Sequence, residues 1–221
     1  MIVEFLRGEL LLLGLAWTAY FALHSWLASL GVKAWFARRW PQQQTRYRLG
    51  YNLLAILLLI PLLLATELAS ERWLWRWEGA GAWVAHAAAL LALIGFVWSS
   101  RAYDMREFLG VAPKRPTAKP RLGLSFLHRF VRHPWYLLGL LWLWTRDMDS
   151  ARLVAALVVT GYLWLGSRLE ERKLLEELGP AYRHYCARVP GLLPRPWRYL
   201  SRAEWIRMNA DQSPPSSASM T

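Results

Sequence analysis

Uncharged apolar runs alternate with charged segments along this chain. The runs cover residues 10–32, 49–66, 79–100, 135–145 and 153–167. As helices with a rise of 1.5 Å per residue, the first three are about 34, 27 and 33 Å long, and the hydrocarbon core of a bilayer is about 30 Å thick. The pattern therefore predicts three transmembrane helices before residue 101.

The fourth and fifth runs lie close together and predict a helical hairpin. The fourth is only about 17 Å long as a helix, and the turn-like residues 147–150 join it to the fifth. The two ends of such a hairpin lie on the same side of the membrane, whether or not it crosses completely. The predicted fold is an all-α integral membrane protein with about five transmembrane helices, the last two forming the hairpin, followed by cytoplasmic C-terminal helices.

The chain divides into three predicted regions. Residues 1–124 contain the three N-terminal spans and their basic cytoplasmic loops, and residues 125–200 contain the hairpin and the cytoplasmic segment after it. Residues 201–221 are predicted to be a disordered tail, because serine and proline dominate the sequence after residue 209.

The positive charge of the chain follows this topology. The formal net charge is +12, from 27 basic and 15 acidic residues, and alternating spans place 22 of the basic residues on one side of the membrane. The positive-inside rule then predicts a multi-pass protein of the inner (cytoplasmic) membrane, with its N-terminus outside and its C-terminus in the cytoplasm. The lipid bilayer is the expected partner, and the charge no longer indicates nucleic acid.

The cysteine content narrows the chemistry further. Cys186 is the only cysteine in the chain. An intrachain disulfide, a CxxC redox motif and a zinc site of paired cysteines are therefore excluded. No metal site is predicted.

Polar residues collect at the cytoplasmic mouth of the predicted hairpin. Antiparallel helices bring His133, where the chain enters the membrane, beside Glu170 and Glu171, where it leaves. Pro134 suits a first helical turn, because the N–H that it lacks would be unpaired there. The N–H groups that follow it favour a carboxylate or a phosphate, so this end of the helix is a predicted anion site.

Two other features each leave two interpretations open. Tyr182, Tyr185 and Cys186 share one face of a predicted helix; they line a pocket for a flat ring, or they belong to a short amphipathic helix on the membrane surface. His24 lies inside the first span. An ionisable group at this depth is a functional candidate, and a neutral histidine hydrogen-bonded within the bundle fits equally well.

The motifs of the C-terminal half resemble those of a known family. They are residues 132–136 (Arg-His-Pro-Trp-Tyr), Gly139, residues 170–174 (Glu-Glu-Arg-Lys-Leu), Gly179, Tyr182, Tyr185 and residues 188–194 (Arg-Val-Pro-Gly-Leu-Leu-Pro). In this order, over roughly residues 125–196, they resemble the C-terminal signature of the isoprenylcysteine carboxyl methyltransferase superfamily. Residues 24–28, 33–35 and 103–110 are more loosely similar to its bacterial NnrU-type and methanethiol S-methyltransferase branches.

The resemblance implies that S-adenosyl-L-methionine binds at the cytoplasmic mouth of the hairpin and that a lipophilic acceptor arrives from the bilayer. It makes residues 125–200 the cofactor-binding methyltransferase region. One wall of the cofactor site is then formed by His133, Pro134, Tyr136 and Gly139, a second by Glu170 and Glu171, and a lid by Tyr182, Tyr185 and the turn at Val189 and Pro190.

The expected function is that of an integral-membrane, S-adenosylmethionine-dependent methyltransferase. Its acceptor is a lipophilic molecule or a small thiol or carboxylate at the cytoplasmic face. An anionic acceptor needs no general base, whereas for a thiol or an amine His133 or a tyrosine is the first candidate. Arg188 is the candidate for holding an anionic acceptor.

Three alternatives remain open at the level of sequence. The first is an enzyme like a phospholipid N-methyltransferase, because the sequence does not define the acceptor. The second is a non-catalytic or redox membrane protein in which His24 and His86 bind haem. The third, a small transporter or assembly factor, is disfavoured because the spans contain no pair of inverted repeats. The oligomeric state is not predicted.

Overall fold

Long apolar helices dominate the computed structural model, which describes residues 8–69, 72–112 and 124–210. Its helices are α1 (Gly8–Ala28), α2 (Leu30–Arg39), α3 (Gln44–Leu68), α4 (Gly79–Ser100), α5 (Met105–Leu109), α6 (Pro134–Trp144), α7 (Ser150–Leu178), α8 (Pro180–Arg188) and α9 (Arg202–Ala210). Short 3-10 turns cover Pro41–Gln43 and Phe126–Arg129. Of these helices, α1, α3, α4 and α7 are long and apolar enough to cross a membrane. The predicted all-α integral membrane fold is confirmed, and the protein is a multi-pass membrane protein.

The fourth predicted apolar segment forms the short helix α6. Its eleven residues are too few to span a bilayer alone, and it packs beside α7 as the first arm of the predicted hairpin. The second arm is longer than predicted, because α7 continues without a break to Leu178. One rigid helix therefore carries residues 170 and 171 out of the membrane region.

The long helices form two packed groups. Helix α1 packs against α3 and α7, and α4 packs against α6. In the first group, Trp17 Nε1 donates a hydrogen bond of 3.0 Å to Thr66 Oγ1. At Gly14 an added Cβ would lie 3.3 Å from Val154, so glycine permits the close approach of α1 and α7. Many leucines on the outward-facing sides of these helices are exposed. This is favourable in lipid, whose tails are as apolar as leucine, and unfavourable in water.

The turn of the hairpin, between α6 and α7, is fixed by a small sheet and a charged network. Strand β1 (Trp73–Trp75) pairs antiparallel with β2 (Met148–Asp149). The buried Asp149 carboxylate accepts a hydrogen bond of 2.8 Å from the Arg152 backbone N–H and lies 2.9 Å from its guanidinium. Arg152 also pairs with Glu67 at the end of α3. These contacts anchor the start of α7 and so help to define where its other end lies.

The segments after α7 form a separate core at the other end of this helix. Gly179, with a φ of +56°, allows the chain to turn from α7 into α8. The buried members of this core are Leu124, Tyr182, Tyr185, Val189 and Leu200. It joins the segment before α6 to the segment after α8, and both of these contribute to the site described below.

Residues 202–210, which the sequence places in a disordered tail, form helix α9. Trp205 packs against the core around Leu124, and its Nε1 donates to the Leu124 carbonyl at 3.0 Å. Ser201 and Glu204 cap the helix reciprocally, with bonds of 3.2 and 2.8 Å between side chain and backbone. Apolar contacts and a capping box thus correct the prediction for this part. Residues 211–221 lie outside the described residues.

Candidate functional site

The segment before α6 and the turn after α8 are hydrogen-bonded to each other. The Arg132 backbone N–H donates to the carbonyls of Pro190 (2.9 Å) and Gly191 (3.0 Å), and the His133 N–H donates to the Gly191 carbonyl (3.2 Å). His133 directly precedes Pro134, the first residue of α6. These bonds hold the start of α6 against the turn that follows α8.

Two carboxylates from α7 flank the imidazole of His133. Its Nε2 lies 3.0 Å from Glu171 Oε1, and its Nδ1 lies 3.4 Å from Glu170 Oε2. The imidazole is buried and stacks on the Tyr136 ring, with centroids 5.3 Å apart. The Tyr136 hydroxyl donates to Glu170 Oε2 at 3.2 Å. The structure therefore brings together His133, Tyr136 and both glutamates.

The two glutamates have different surroundings. The Glu171 side chain is 13% exposed, and its Oε1 accepts hydrogen bonds from Arg132 Nε (2.9 Å) and Nη2 (2.7 Å). The Glu170 side chain is 49% exposed and contacts His133 and Tyr136. Glu171 is thus an internal partner, whereas the Glu170 carboxylate is the one that a ligand can reach.

Arg132 connects three segments of the site. Beyond Glu171 on α7, its Nη1 donates to the carbonyls of Cys186 (3.2 Å) and Val189 (2.5 Å) at the end of α8. Burial works against the charge of Arg132, but its hydrogen bonds to Glu171 and the nearby negative charge outweigh burial and raise the pKa of Arg132. The sequence places Arg132 in the motif at the hairpin mouth, but its bonds to backbone carbonyls were not predicted, because those carbonyls have no sequence signature.

The pKa values of two histidines near the site are shifted in opposite directions. Burial lowers the pKa of His133, but hydrogen bonds to Glu170 and Glu171 outweigh burial and raise it above the ordinary value. Burial and the nearby His133 lower the pKa of His128 to about 4, and its Nδ1 accepts a 3.1 Å hydrogen bond from the Ser125 N–H. His133 is held toward its cationic form, which argues against its predicted role as a base.

One face of α6 is open beside this network. An added Cβ at Gly139, one turn after Tyr136, would meet nothing within 4 Å. At Gly191 an added Cβ would instead lie 3.4 Å from Arg132 Nη2 and 3.5 Å from Glu171 Oε1. The Tyr136 and Gly139 face can therefore border a ligand, whereas Gly191 belongs to the packed side of the site.

Three predicted site residues lie elsewhere than expected. Tyr182 and Tyr185 are each only 1% exposed, and the Tyr185 hydroxyl donates to the His128 carbonyl at 2.7 Å. Their rings lie in the core beneath the site. This burial fits neither a lid over the cofactor nor a helix on the membrane surface. Arg188 pairs with Glu204 on α9, which engages its guanidinium away from the glutamates of α7.

The two histidines of the haem alternative have separate surroundings. The ring nitrogens of His24 lie 2.6 and 3.1 Å from the Tyr51 hydroxyl. His86 Nδ1 lies 2.5 Å from the carbonyl of Ala82 on its own helix. Within residues 8–69, 72–112 and 124–210, no group of three or more His, Cys, Asp or Glu residues is arranged to hold a metal. These contacts give the haem alternative no support.

Three known proteins that are similar to this chain over most of its length are named methanethiol S-methyltransferase. The chain is 30% identical to the methanethiol S-methyltransferase of a Pseudomonas species over 187 residues, which are 80% of this chain and 70% of the relative. It is 32% identical to methanethiol S-methyltransferase 2 of Bradyrhizobium diazoefficiens over 206 residues, 85% and 74% of the two chains. It is 30% identical to the methanethiol S-methyltransferase of Mycobacterium tuberculosis over 209 residues, 87% and 81%. No protein-family model and no solved structure matches the chain.

The membrane fold and these relatives together define the class of protein as a multi-pass membrane methyltransferase. The identity extends over most of both chains and is not confined to the C-terminal motifs. The chain belongs to the methanethiol S-methyltransferase family, within the isoprenylcysteine carboxyl methyltransferase-like family. The resemblance of its motifs is thereby confirmed.

Proposed function

We propose that this membrane methyltransferase transfers a methyl group from S-adenosylmethionine to a small thiol at the cytoplasmic face of the inner membrane. The observation that carries the proposal is the half-exposed Glu170 carboxylate beside the buried network of Arg132, His133 and Glu171. This network holds an accessible carboxylate at the end of a membrane hairpin, next to an open helix face.

The residues of the site fit the charges of the proposed cofactor. S-adenosylmethionine carries a sulfonium, an ammonium and a carboxylate, and when bound it supplies an electrophilic methyl group. Glu170 is placed to bind a cation, since its carboxylate is accessible. The N–H groups of the first turn of α6, after Pro134, suit a carboxylate. The stacked His133 and Tyr136 rings and the open position at Gly139 form the wall beside them.

The chain's own contribution to the reaction is alignment and the exclusion of water. Methyl transfer is an in-line displacement, and holding two reactants in line is worth about 7–11 kcal/mol. The apolar helices around the hairpin provide a dry border, in which the fixed charges of the site act more strongly than in water. No metal is needed for this chemistry.

The proposed side of the membrane follows from charge. Residues 33–48, 101–132 and 168–207 hold 22 of the 27 basic residues, and the site lies among the last two of these segments. The positive-inside rule supports a cytoplasmic location for them, with the N-terminus outside. A soluble cofactor made in the cytoplasm then reaches the site directly.

The proposed acceptor class is a small thiol. Relatives that are 30–32% identical are named for methanethiol, which supports a small sulfur acceptor. A prenylated cysteine carboxylate and a phospholipid amine are the competing acceptors. Incubation of membranes with a methyl-labelled donor separates them, because a small thioether is volatile whereas the other products are not. Label in the lipid or protein fraction instead of the volatile fraction contradicts the thiol assignment.

Cofactor binding is tested by calorimetric titration of the detergent-purified protein. S-adenosylhomocysteine is expected to bind the wild type, and Glu170→Gln is expected to weaken binding of S-adenosylmethionine at least about tenfold through loss of one charge-assisted contact. Glu177→Gln is the matched control, since Glu177 lies on the same helix, is exposed and pairs with Lys173 at 3.7 Å. No binding at millimolar ligand by folded wild-type protein refutes the proposed function.

A further inference from the structure

The segment that follows α4 packs against the start of α6, beside the proposed cofactor site. Tyr103 lies in this segment, and its ring meets the Trp135 ring edge to face, with centroids 5.1 Å apart. Trp135 is itself fixed, because its Nε1 donates to Ser99 Oγ at 2.8 Å. In the motif at the hairpin mouth, Trp135 directly follows Pro134. Tyr103 is therefore held against the first turn of α6.

The imidazole of His128 sets the direction of the Tyr103 hydroxyl. The Ser125 N–H donates to His128 Nδ1 at 3.1 Å, so Nδ1 carries no hydrogen. Burial and the nearby His133 lower the pKa of His128 to about 4, so the ring is neutral and its one hydrogen is on Nε2. Nε2 lies 3.5 Å from the Tyr103 hydroxyl oxygen and donates to it. The hydrogen of that hydroxyl therefore points to a different acceptor.

The other polar side chains of the site donate to its own carboxylates. The His133 imidazole lies between Glu170 and Glu171. Arg132 donates to Glu171, and the Tyr136 hydroxyl donates to Glu170. These hydrogen bonds hold the two glutamates in place. A methyl acceptor is therefore best served by a donor outside this network.

The Tyr103 hydroxyl is such a donor. The residue is partly exposed, and in the part of the chain that the structure describes His128 is its one partner within hydrogen-bond distance. Burial and the nearby charge of Glu170 raise the pKa of Tyr103, so the phenol stays protonated at neutral pH. This interaction also places the phenol within electrostatic range of the accessible carboxylate. Tyr103 is thus a protonated donor at the border of the proposed cofactor site.

We propose that Tyr103 contacts the thiol acceptor and donates a hydrogen bond to its sulfur, so that the acceptor reacts as a thiolate; this role rests on the proposed methyltransferase function. The thiol S–H bond breaks and the proton goes to water. The sulfur electron pair then forms a bond to the methyl carbon, while the bond from that carbon to the sulfonium breaks and its electron pair stays on the donor sulfur. His128 is the positioning residue that orients the phenol.

The acidity of the acceptor explains why such a donor is needed. An alkyl thiol resembles free cysteine, with a pKa of about 8.5, so it is mostly protonated at neutral pH. A hydrogen bond to the charged form of a group favours that form. His133 is held toward its cation by two carboxylates and is a poor base for this proton. Stabilising the thiolate by a neutral donor needs no base.

The pH dependence of the reaction reports on this hydrogen bond. The titratable groups that face the phenol are His128, Tyr185 on α8 and Glu170 on α7. The pKa of His128 is about 4, the hydrogen bond to His133 lowers that of Glu170, and burial raises that of Tyr185. None of the three changes its charge between about pH 6 and 9. The bound acceptor is then the neighbour of Tyr103 that titrates in this range.

The test measures kcat against pH for two acceptors in the detergent-purified full-length protein. Tyr103→Phe removes the hydroxyl and keeps the ring that packs on Trp135. For methanethiol, the variant is expected to raise the pH midpoint of kcat by about one unit and to lower kcat at pH 7 at least about tenfold, because one charge-assisted hydrogen bond is lost. For methaneselenol, a much stronger acid that is already ionised at pH 7, the midpoint is expected to stay in place. Ionisation of His133 affects both acceptors alike.

Two controls accompany this variant. Tyr199→Phe is the matched substitution, because Tyr199 is 48% exposed and its ring stacks on Phe130. It is expected to leave both pH profiles unchanged. Binding of S-adenosylhomocysteine by Tyr103→Phe is expected to equal that of the wild type, since the proposed contact is with the acceptor.

The outcomes separate this inference from the proposed function. An unchanged midpoint for methanethiol, or equal shifts for both acceptors, shows that Tyr103 does not donate to the sulfur. Lost binding of S-adenosylhomocysteine in Tyr103→Phe assigns the residue to the cofactor and also overturns the inference. Failure of the wild type to bind S-adenosylhomocysteine removes the proposed function instead. If Tyr103→Phe does not fold, His128→Asn decides: a smaller shift in the same direction is expected for methanethiol alone, and no shift rejects the role.

Discussion

Replacing Arg132 by glutamine breaks the contact network at the open end of the hairpin, where α6 begins and α7 continues past the membrane region. Arg132 donates to Glu171 through Nε and Nη2, and to the Cys186 and Val189 carbonyls through Nη1. A glutamine side chain is shorter, uncharged and has one donor group. Arg132→Gln therefore leaves the buried Glu171 carboxylate with His133 as its remaining charged partner and removes the hydrogen bonds from Arg132 to two backbone carbonyls.

The size of the effect follows from burial. The side chains of Arg132 and Glu171 are only 11% and 13% exposed, so solvent screens the pair weakly. Removing one partner of a buried ion pair costs about 3–5 kcal/mol when the remaining charge is uncompensated. Because His133 still contacts Glu171, the expected cost is at the lower end, about 3 kcal/mol, or about 10²-fold in the equilibrium for local opening. Arg132→Lys keeps the charge but not the forked geometry, so an intermediate loss is expected.

Hydrogen exchange in detergent measures this local opening. Backbone amides around residues 189–192 are expected to lose protection in Arg132→Gln, whereas those of α1 and α4 keep it, since the long helices pack independently of this contact. Arg172→Gln is the control, because Arg172 is an exposed neighbour of Glu171 on the same helix. Unchanged protection of residues 189–192, or an equal loss in the long helices, would refute the assigned role of Arg132.

Three further changes test separate parts of the site. Gly139→Ala is expected to leave thermal stability unchanged, because the added Cβ meets nothing within 4 Å. Gly139→Phe is expected to weaken S-adenosylhomocysteine binding at least about tenfold, because the ring would occupy the face proposed for the ligand. Equal affinities of this variant and the wild type, measured by calorimetry, contradict a ligand at this face. His128, with its pKa lowered to about 4, contributes stability above its unfolded pKa of about 6.5, and up to about 3 kcal/mol is lost as the pH falls from 6.5 to 4. Thermal melts of His128→Asn are then expected to depend less on pH in this window than those of the wild type, and equal slopes reject the assignment. Arg188→Ala is expected to leave cofactor affinity unchanged, because Arg188 pairs with Glu204; a large loss in titration restores its predicted binding role.

Membrane topology was predictable because it depends on composition over long stretches. A span needs about 20 apolar residues whatever their order, so the runs at 10–32, 49–66 and 79–100 identify α1, α3 and α4. The hairpin adds a geometric consequence, since its two ends must lie on one side. That consequence alone predicted the juxtaposition of His133 with Glu170 and Glu171, which lie 3.4 and 3.0 Å from it.

The division of roles within the site was not predictable, because it depends on what covers each side chain. Adjacent glutamates look alike in sequence, yet Arg132 covers Glu171 and leaves Glu170 half-exposed. Helical spacing places Tyr182 and Tyr185 on one face but does not say which element packs against that face. In the structure, α9 contributes to the core that contains both tyrosines. The capping-box spacing of Ser201 and Glu204 was the sequence signal for this helix.

His24 and His86 show most clearly where sequence information ends. Each is a single histidine within an apolar run, so their patterns favour no difference in function. In the folded chain, His86 is exposed and bonds to a carbonyl of its own helix, a contact that any helical position offers. His24 lies at the junction of three helices, where Tyr51 and Tyr162 come from elements far away in sequence. The surroundings of a lone intramembrane histidine are therefore decided by the tertiary structure, which gives His24 tyrosine neighbours from two other helices and gives His86 only its own helix.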